Sequence, residues 1–100
     1  MAEIQDLLVN ETLNFIDSLI VKAKVTIDGN EIEKKIEKTK RDSNTLRKYV
    51  YLDVEKGFIS RAALVDVQGR ELYVKELNFQ KGNKGFVITF PIKQSLEVVS

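Results

Sequence analysis

The sequence predicts a mainly β protein, α+β by count: an antiparallel β-sandwich of about six strands with one N-terminal amphipathic helix. Two tight-turn sequences carry this prediction, Asp28-Gly29 and Gln68-Gly69, because each lies between runs in which apolar and polar residues alternate. Asp-Gly supplies the positive φ angles that a two-residue hairpin needs, and Gln-Gly is a weaker form of the same signal. Turn signals recur at roughly ten-residue spacing, as in sandwiches and barrels.

Residues 3–19 follow a helical period, and their apolar arc covers about half of the helix circumference. We expect residues 1–20 to hold this helix and residues 21–100 to form the sandwich. One flank of the arc contains Leu7, Leu8, Phe15 and Leu19, and the other contains Val9, Leu13, Ile16 and Ile20.

An arc this wide exceeds what one packing surface requires, and it leaves two interpretations open. The helix lies deep in a groove of its own domain, or it packs on its own sheet with one flank and on another subunit with the other. In the second interpretation Leu7, Leu8, Phe15 and Leu19 form the oligomer interface.

The period changes from 3.6 to 2 after the helix, which predicts strands. Lys34 lies on an inward face, as expected of an edge strand. The polar segment 39–45 is expected to be a loop. The stretch 58–67 is apolar on both faces and therefore central. The six expected strands cover residues 21–27, 31–39, 46–52, 58–67, 71–79 and 86–92.

The composition limits the chemistry available. The 100 residues contain no cysteine and no histidine, so disulfides and thiolate metal sites are excluded and the commonest general base is missing. We therefore expect a single domain that is not an enzyme and needs no cofactor or metal. No apolar run approaches the roughly 20 residues of a membrane-spanning helix. The start, Met1-Ala2-Glu3, carries acid rather than base, so we expect no secretory signal and a cytoplasmic beginning.

Two motifs resemble catalytic features and are better explained as turns. Asp66 lies among apolar strand residues next to Gln68-Gly69, where ending the hairpin by hydrogen bonding is favoured over acting as a base. Gly82-Asn83-Lys84-Gly85 has too short a spacing for a P-loop, and a strand follows it instead of a helix.

Charge is distributed unevenly along the chain, although the net charge is only +1. Residues 1–20 carry four acids and no base, a charge of −4. Residues 31–48 carry seven bases against four acids, a charge of +3. Segments of opposite charge can attract each other within one molecule or between neighbouring copies.

The basic segment supports an alternative function, binding of single-stranded nucleic acid by a small β-domain. Such domains combine a basic groove with aromatic side chains on which bases stack. The near-neutral chain and the glutamates between its lysines count against this alternative. The residues that would carry it are Lys34, Lys35, Lys38, Lys40, Arg41, Tyr49 and Tyr51.

A non-enzymatic structural or adaptor role explains more features together: the missing catalytic residue types, the wide apolar helix and the separated charges. A helix and an edge strand are adequate for a symmetric homo-oligomer, because every copy presents the same patch.

The order of segments also resembles a known group of proteins. The N-terminal helix is followed by Tyr49-Val-Tyr-Leu-Asp53, by the hairpin segment 59–72 and by Gly85-Phe-Val-Ile-Thr-Phe90. Together these are similar to small proteins of unknown role encoded in tail-gene clusters of siphophages and prophages of Gram-positive bacteria. The resemblance implies a virion-associated tail or baseplate component, assembled in the host cytoplasm as a homo-oligomer, with a trimer as the implied form and other tail proteins as partners. It carries over no binding residue.

Overall fold

The computed structural model describes residues 3–94, 96 and 98, and it has one helix and seven strands within that part of the chain. Strand residues make up 55%, in two antiparallel sheets, so the mainly β, α+β class is confirmed. The elements are α1 (Asp6–Leu19), β1 (Lys22–Ile27), β2 (Asn30–Lys34), β3 (Lys38–Asp42), β4 (Thr45–Leu52), β5 (Gly57–Val65), β6 (Glu71–Lys81) and β7 (Phe86–Lys93).

The first sheet has the strand order β2-β1-β5-β6, and the second has the order β3-β4-β7. Their inner faces pack together through alternate strand residues, which is the expected sandwich pattern. Val25 and Leu64 from the first sheet and Val50 and Phe90 from the second are completely buried in this core. Tyr73 of β6 packs edge-on against Phe90, with the ring centroids 5.2 Å apart.

The prediction of six strands was one short, because the expected strand 31–39 and polar loop 39–45 were wrong. The first strand of this region ends at Lys34, and the chain then crosses to the second sheet, where β3 begins at Lys38. All five residues of β3 are exposed, so the sequence shows no apolar alternation there. Pairing with β4 satisfies the backbone of β3 instead, and Ser43, with a φ of 52°, makes the tight turn between them.

The predicted Asp28-Gly29 hairpin is confirmed. Both residues have positive φ, 51° and 80°, and they connect β1 to β2 in register. This turn also docks against the start of β5: the Asp28 carboxylate accepts a hydrogen bond from the Phe58 N–H at 2.9 Å. The Asp28 N–H in turn donates to the Phe58 carbonyl at 2.9 Å. The turn is therefore held by tertiary contacts as well as by its own geometry.

The helix α1 lies along the hairpin of β3 and β4, on the inner side of the second sheet. The inward residues of β4 are all buried, and Val50 and Leu52 belong to the core between the sheets. Leu46 and Lys48 lie beyond that core on the same face of β4, and α1 covers them. Leu13 of α1 is fully buried in this contact.

The molecule is elongated, with extents of 55 × 27 × 21 Å and a Cα radius of gyration of 15.9 Å. A compact domain of this length has a radius of gyration of about 13 Å. The fold consequently exposes more of its surface than a spherical domain of 100 residues, which is the setting for the exposed helix flank described below.

Gly57 is expected to be indispensable for stability. Its φ is 132°, and a Cβ there would lie 2.2 Å from the Asp28 carboxylate. The Gly57→Ala variant should therefore lose about 2–4 kcal/mol of unfolding free energy, from backbone strain and overpacking together, as measured by urea denaturation. Gly82→Ala is the control, because Gly82 has open space around its Cα; equal losses in the two variants would contradict the docked-turn geometry.

Candidate functional site

The two flanks of α1 differ in solvent exposure: one faces the solvent and the other packs against the protein. Leu7, Phe15 and Leu8 are 69%, 64% and 53% exposed, and Leu19 is 36% exposed. On the other flank Leu13 and Ile20 are buried, and Val9 and Ile16 are half-buried. We call the four exposed residues Leu7, Leu8, Phe15 and Leu19 the outer flank.

The interpretation that α1 lies deep in a groove of its own domain is wrong, because protein covers the helix on one side only. The first flank of the arc, predicted from spacing, is the exposed one, and the second flank is the one that packs. The cause lies in the polar stripe of the helix, Asn10, Asn14 and Asp17, which borders the packed flank, stays at least partly exposed and contacts the β3–β4 hairpin.

Two basic side chains of the β3–β4 hairpin engage that polar stripe. The Lys48 ammonium is almost completely buried, and it donates to the Asp17 carboxylate and, at 2.9 Å, to the Thr39 hydroxyl. The Arg41 guanidinium donates to the side-chain carbonyls of Asn14 at 2.7 Å and Asn10 at 3.2 Å. These contacts fix the rotation of α1 about its axis, and this rotation turns the outer flank to solvent.

An apolar groove continues the outer flank towards the sheets. It has a volume of about 250 Å³ and lies between the C-terminal half of α1 and the ends of β6 and β7. Leu19 belongs to the outer flank and also lines the groove. The other residues that line it are Ile16, Ile20, Leu72, Tyr73 and Ile92. The exposed apolar surface therefore has projecting side chains and a recess next to each other.

The structure divides the predicted nucleic-acid residues between different surfaces. Lys34 belongs to the first sheet and pairs with Glu55 at 2.8 Å, and Lys35 pairs with Glu37 at 3.7 Å. Arg41 points to α1. Lys34 and Lys35 nevertheless line a depression together with Tyr51, so the prediction of one surface is corrected for Arg41, which lies on the opposite side of the hairpin. The remaining four share the outer face of the second sheet: Lys38, Lys40, Tyr49 and Tyr51.

Sequence reasoning missed two further cations on that face. Arg47 lies directly across from Lys40, and Lys93 lies across from Thr45. Alternation along β4 places Arg47 on the same side as Tyr49 and could have identified it. Lys93 could not have been assigned, because its position depends on the register between β4 and β7.

Asp66 has the hairpin role expected from the sequence. Its buried carboxylate accepts hydrogen bonds from the N–H groups of Gln68 at 2.9 Å and Arg70 at 2.8 Å, and from the Arg70 guanidinium at 2.7 Å. Burial opposes ionisation of Asp66, but the hydrogen bonds from Arg70 and Gln68 outweigh it and lower the pKa of this carboxyl below its usual range. The oxygens of Asp66 are occupied in holding the turn.

Lys81 is a second buried cation with a structural role, and no pattern in the sequence pointed to it. Its ammonium donates to the carbonyl oxygens of Asp53 at 2.7 Å, Glu55 at 2.5 Å and Gly82 at 3.2 Å. It thus fastens the loop between β4 and β5 to the end of β6. The hydrogen bond from Lys34 lowers the pKa of Glu55 in the same loop, which keeps that carboxylate charged and paired.

Across residues 3–94, 96 and 98, no three acidic, histidine or cysteine side chains gather to hold a metal ion. In the same part of the chain, no helix has the length and apolar character to cross a membrane. No protein family, curated protein or solved structure matches the chain.

The ion pair of Asp17 and Lys48 should govern how firmly α1 is attached. Asp17→Ala leaves the buried Lys48 ammonium without its anion, so it should lower the unfolding free energy by about 1–3 kcal/mol. Adding Lys48→Met should restore most of that loss, because it removes the unpaired charge. Denaturant titration measures both effects. Glu11→Ala, which removes an exposed acid of the same helix, is the control. If Glu11→Ala lowered the unfolding free energy as much as Asp17→Ala, the role of the Asp17–Lys48 ion pair in attaching α1 would be refuted.

Proposed function

We propose that the protein is a non-enzymatic structural module that forms a homo-oligomer through the outer flank of α1. One observation carries the proposal: three large apolar side chains are more than half exposed on a helix whose rotation is fixed by side-chain hydrogen bonds from the buried Lys48 and the exposed Arg41. An apolar surface held open in this way is typical of a protein interface.

A second copy of the chain is the occupant that fits this surface best. Phe15 and Leu8 project from the outer flank, and the apolar groove beside Leu19 receives side chains of that kind. Each copy thus offers both a projection and a recess, as an interface between identical subunits requires. Burying each exposed side chain on a partner stabilises the complex by about 1.5–3 kcal/mol.

The charges of α1 support the same arrangement. Asp17 is paired inside its own molecule, whereas Asp6 and Glu11 make no ion pair among the residues that the structure describes. Glu11 is exposed one helical turn from both Leu7 and Phe15 and supplies polar character beside the apolar surface, whereas Asp6 lies next to the turn between β3 and β4.

The biological setting that we propose is the tail or baseplate of a siphophage or prophage virion. It is supported by the resemblance of the chain to small tail-cluster proteins. In that setting the module forms a homo-oligomer, with a trimer as the arrangement implied, and contacts other tail proteins.

Replacing the outer flank should yield a folded monomer. The wild-type protein should have a mass of at least two chains of 11.4 kDa each in light scattering after size exclusion, at micromolar concentrations. The double variant Leu8→Glu/Phe15→Glu should have the mass of one chain and an unchanged circular dichroism spectrum, since neither side chain contributes to the core.

Val54→Glu/Val67→Glu is the matched control for that experiment. It adds the same two charges at highly exposed apolar positions, in the loop between β4 and β5 and in the turn between β5 and β6, and should leave the oligomer intact. A monomeric wild-type protein at high micromolar concentration, or an oligomer that survives the double substitution, would refute the proposed interface.

A further inference from the structure

The outer face of the second sheet concentrates the cations that the fold itself does not use. We call it the basic face, and it consists of Lys38, Lys40, Arg47, Tyr49, Tyr51 and Lys93. It lies on the opposite side of the β3–β4 hairpin from α1, so it is separate from the proposed oligomer surface.

A comparison of all sixteen basic side chains shows this concentration. In residues 3–94, 96 and 98, seven of them form ion pairs with carboxylates, and three others donate to amide or carbonyl oxygens. Six have no such partner in that part of the chain. Four of those six lie on the basic face, and the others are Lys56 and Lys84.

The basic face carries little opposing charge. Asp42 is its one acidic member among the described residues, at the end of β3 and across from Thr45. Glu37 pairs with Lys35 and is a second acid beside the face, since it lines the depression between the tyrosines and the lysines of β3. Lys40 and Arg47 are adjacent on neighbouring strands, and two like charges so placed disfavour each other unless an anion lies between them.

Two tyrosine rings lie among these cations. Tyr49 is across from Lys38 on one side and from Thr89 on the other. Tyr51 leans over Gly85, where a side chain would collide with its hydroxyl group at 2.3 Å. A depression of about 390 Å³ runs between the rings and the lysines of β3. The face therefore combines positive charge with one exposed aromatic ring, Tyr51, and one half-buried ring, Tyr49.

We propose that the basic face binds single-stranded nucleic acid. Lys38, Lys40, Arg47 and Lys93 contact phosphates, and bases stack on Tyr49 and Tyr51, which is the combination that sequence-tolerant single-strand binding requires. A duplex fits less well, because its bases are already stacked and the face presents no helix or ribbon that enters a major groove.

Salt dependence gives this inference a quantitative form. Four phosphate contacts to a single strand give a slope of log K against log salt of about −3, since each contributes about −0.7. The affinity should then fall about fiftyfold between 50 and 200 mM salt, according to the same relation.

The test is fluorescence anisotropy with a labelled oligothymidylate of about 16 nucleotides, the upper site size of a small β-domain. The wild-type protein should bind it saturably with the slope given above. Lys40→Gln/Arg47→Gln should reduce the steepness of the slope by about 1.4, because two phosphate contacts are lost. Tyr51→Leu, which keeps the apolar cover over Gly85, should weaken binding about tenfold without changing the slope.

Lys56→Gln/Lys84→Gln is the matched control, since it removes the same charge from outside the face and should change the affinity less than twofold. No binding at 50 mM salt, or an equal loss in the control, would overturn the inference. Equal affinity for a duplex or for heparin, with no effect of Tyr51→Leu, would also overturn it and indicate general attraction of polyanions. The monomeric Leu8→Glu/Phe15→Glu variant should keep the same slope for each chain, which separates this result from the proposed oligomer.

Discussion

The rest of the structure depends on the contact between the polar stripe of α1 and the hairpin of β3 and β4. A helix that is apolar over half of its circumference would normally turn as much of that surface as possible to its own core. Here the buried Lys48 needs an anion, and Asp17 supplies it from the helix. Leaving Lys48 unpaired would cost more than exposing part of an apolar arc. The helix therefore rotates so that its polar side meets the hairpin and the outer flank meets the solvent.

The same hairpin divides one basic segment between two roles. Successive strand residues point to opposite faces, so Arg41 and Lys48 reach inward to α1, while their neighbours Lys40 and Arg47 reach outward. The inner pair compensates the acidic helix within the molecule. The outer pair is left to an external anion. One short hairpin thus positions both surfaces on which the proposed functions rest.

Features that depend on residues close together in the sequence could be predicted, whereas features that depend on strand pairing could not. The Asp28-Gly29 hairpin depends on adjacent residues and was correctly predicted, whereas helical spacing defined the two flanks of α1 but left open whether its own domain covers the outer one. The third strand carries no apolar residue, so its existence follows from pairing with β4 and no local pattern reveals it. The grouping of basic residues was predicted as one patch because charge was counted along the chain. The alternation of side chains along β3 and β4 divides this predicted patch between two faces. Lys93 joins the outer face, as only the register between β4 and β7 shows.

The most direct test of the account is the distance between copies of α1. The chain has no cysteine, so Ser18→Cys gives a single spin label at the edge of the outer flank, and any dipolar signal must come from another copy. Because packed helices lie about 8–10 Å apart, we expect a short, narrow distance distribution, and a longer one for a label on the exposed Val54 in the loop between β4 and β5. No dipolar coupling at Ser18→Cys, or a shorter distance at Val54→Cys, would contradict assembly through the outer flank.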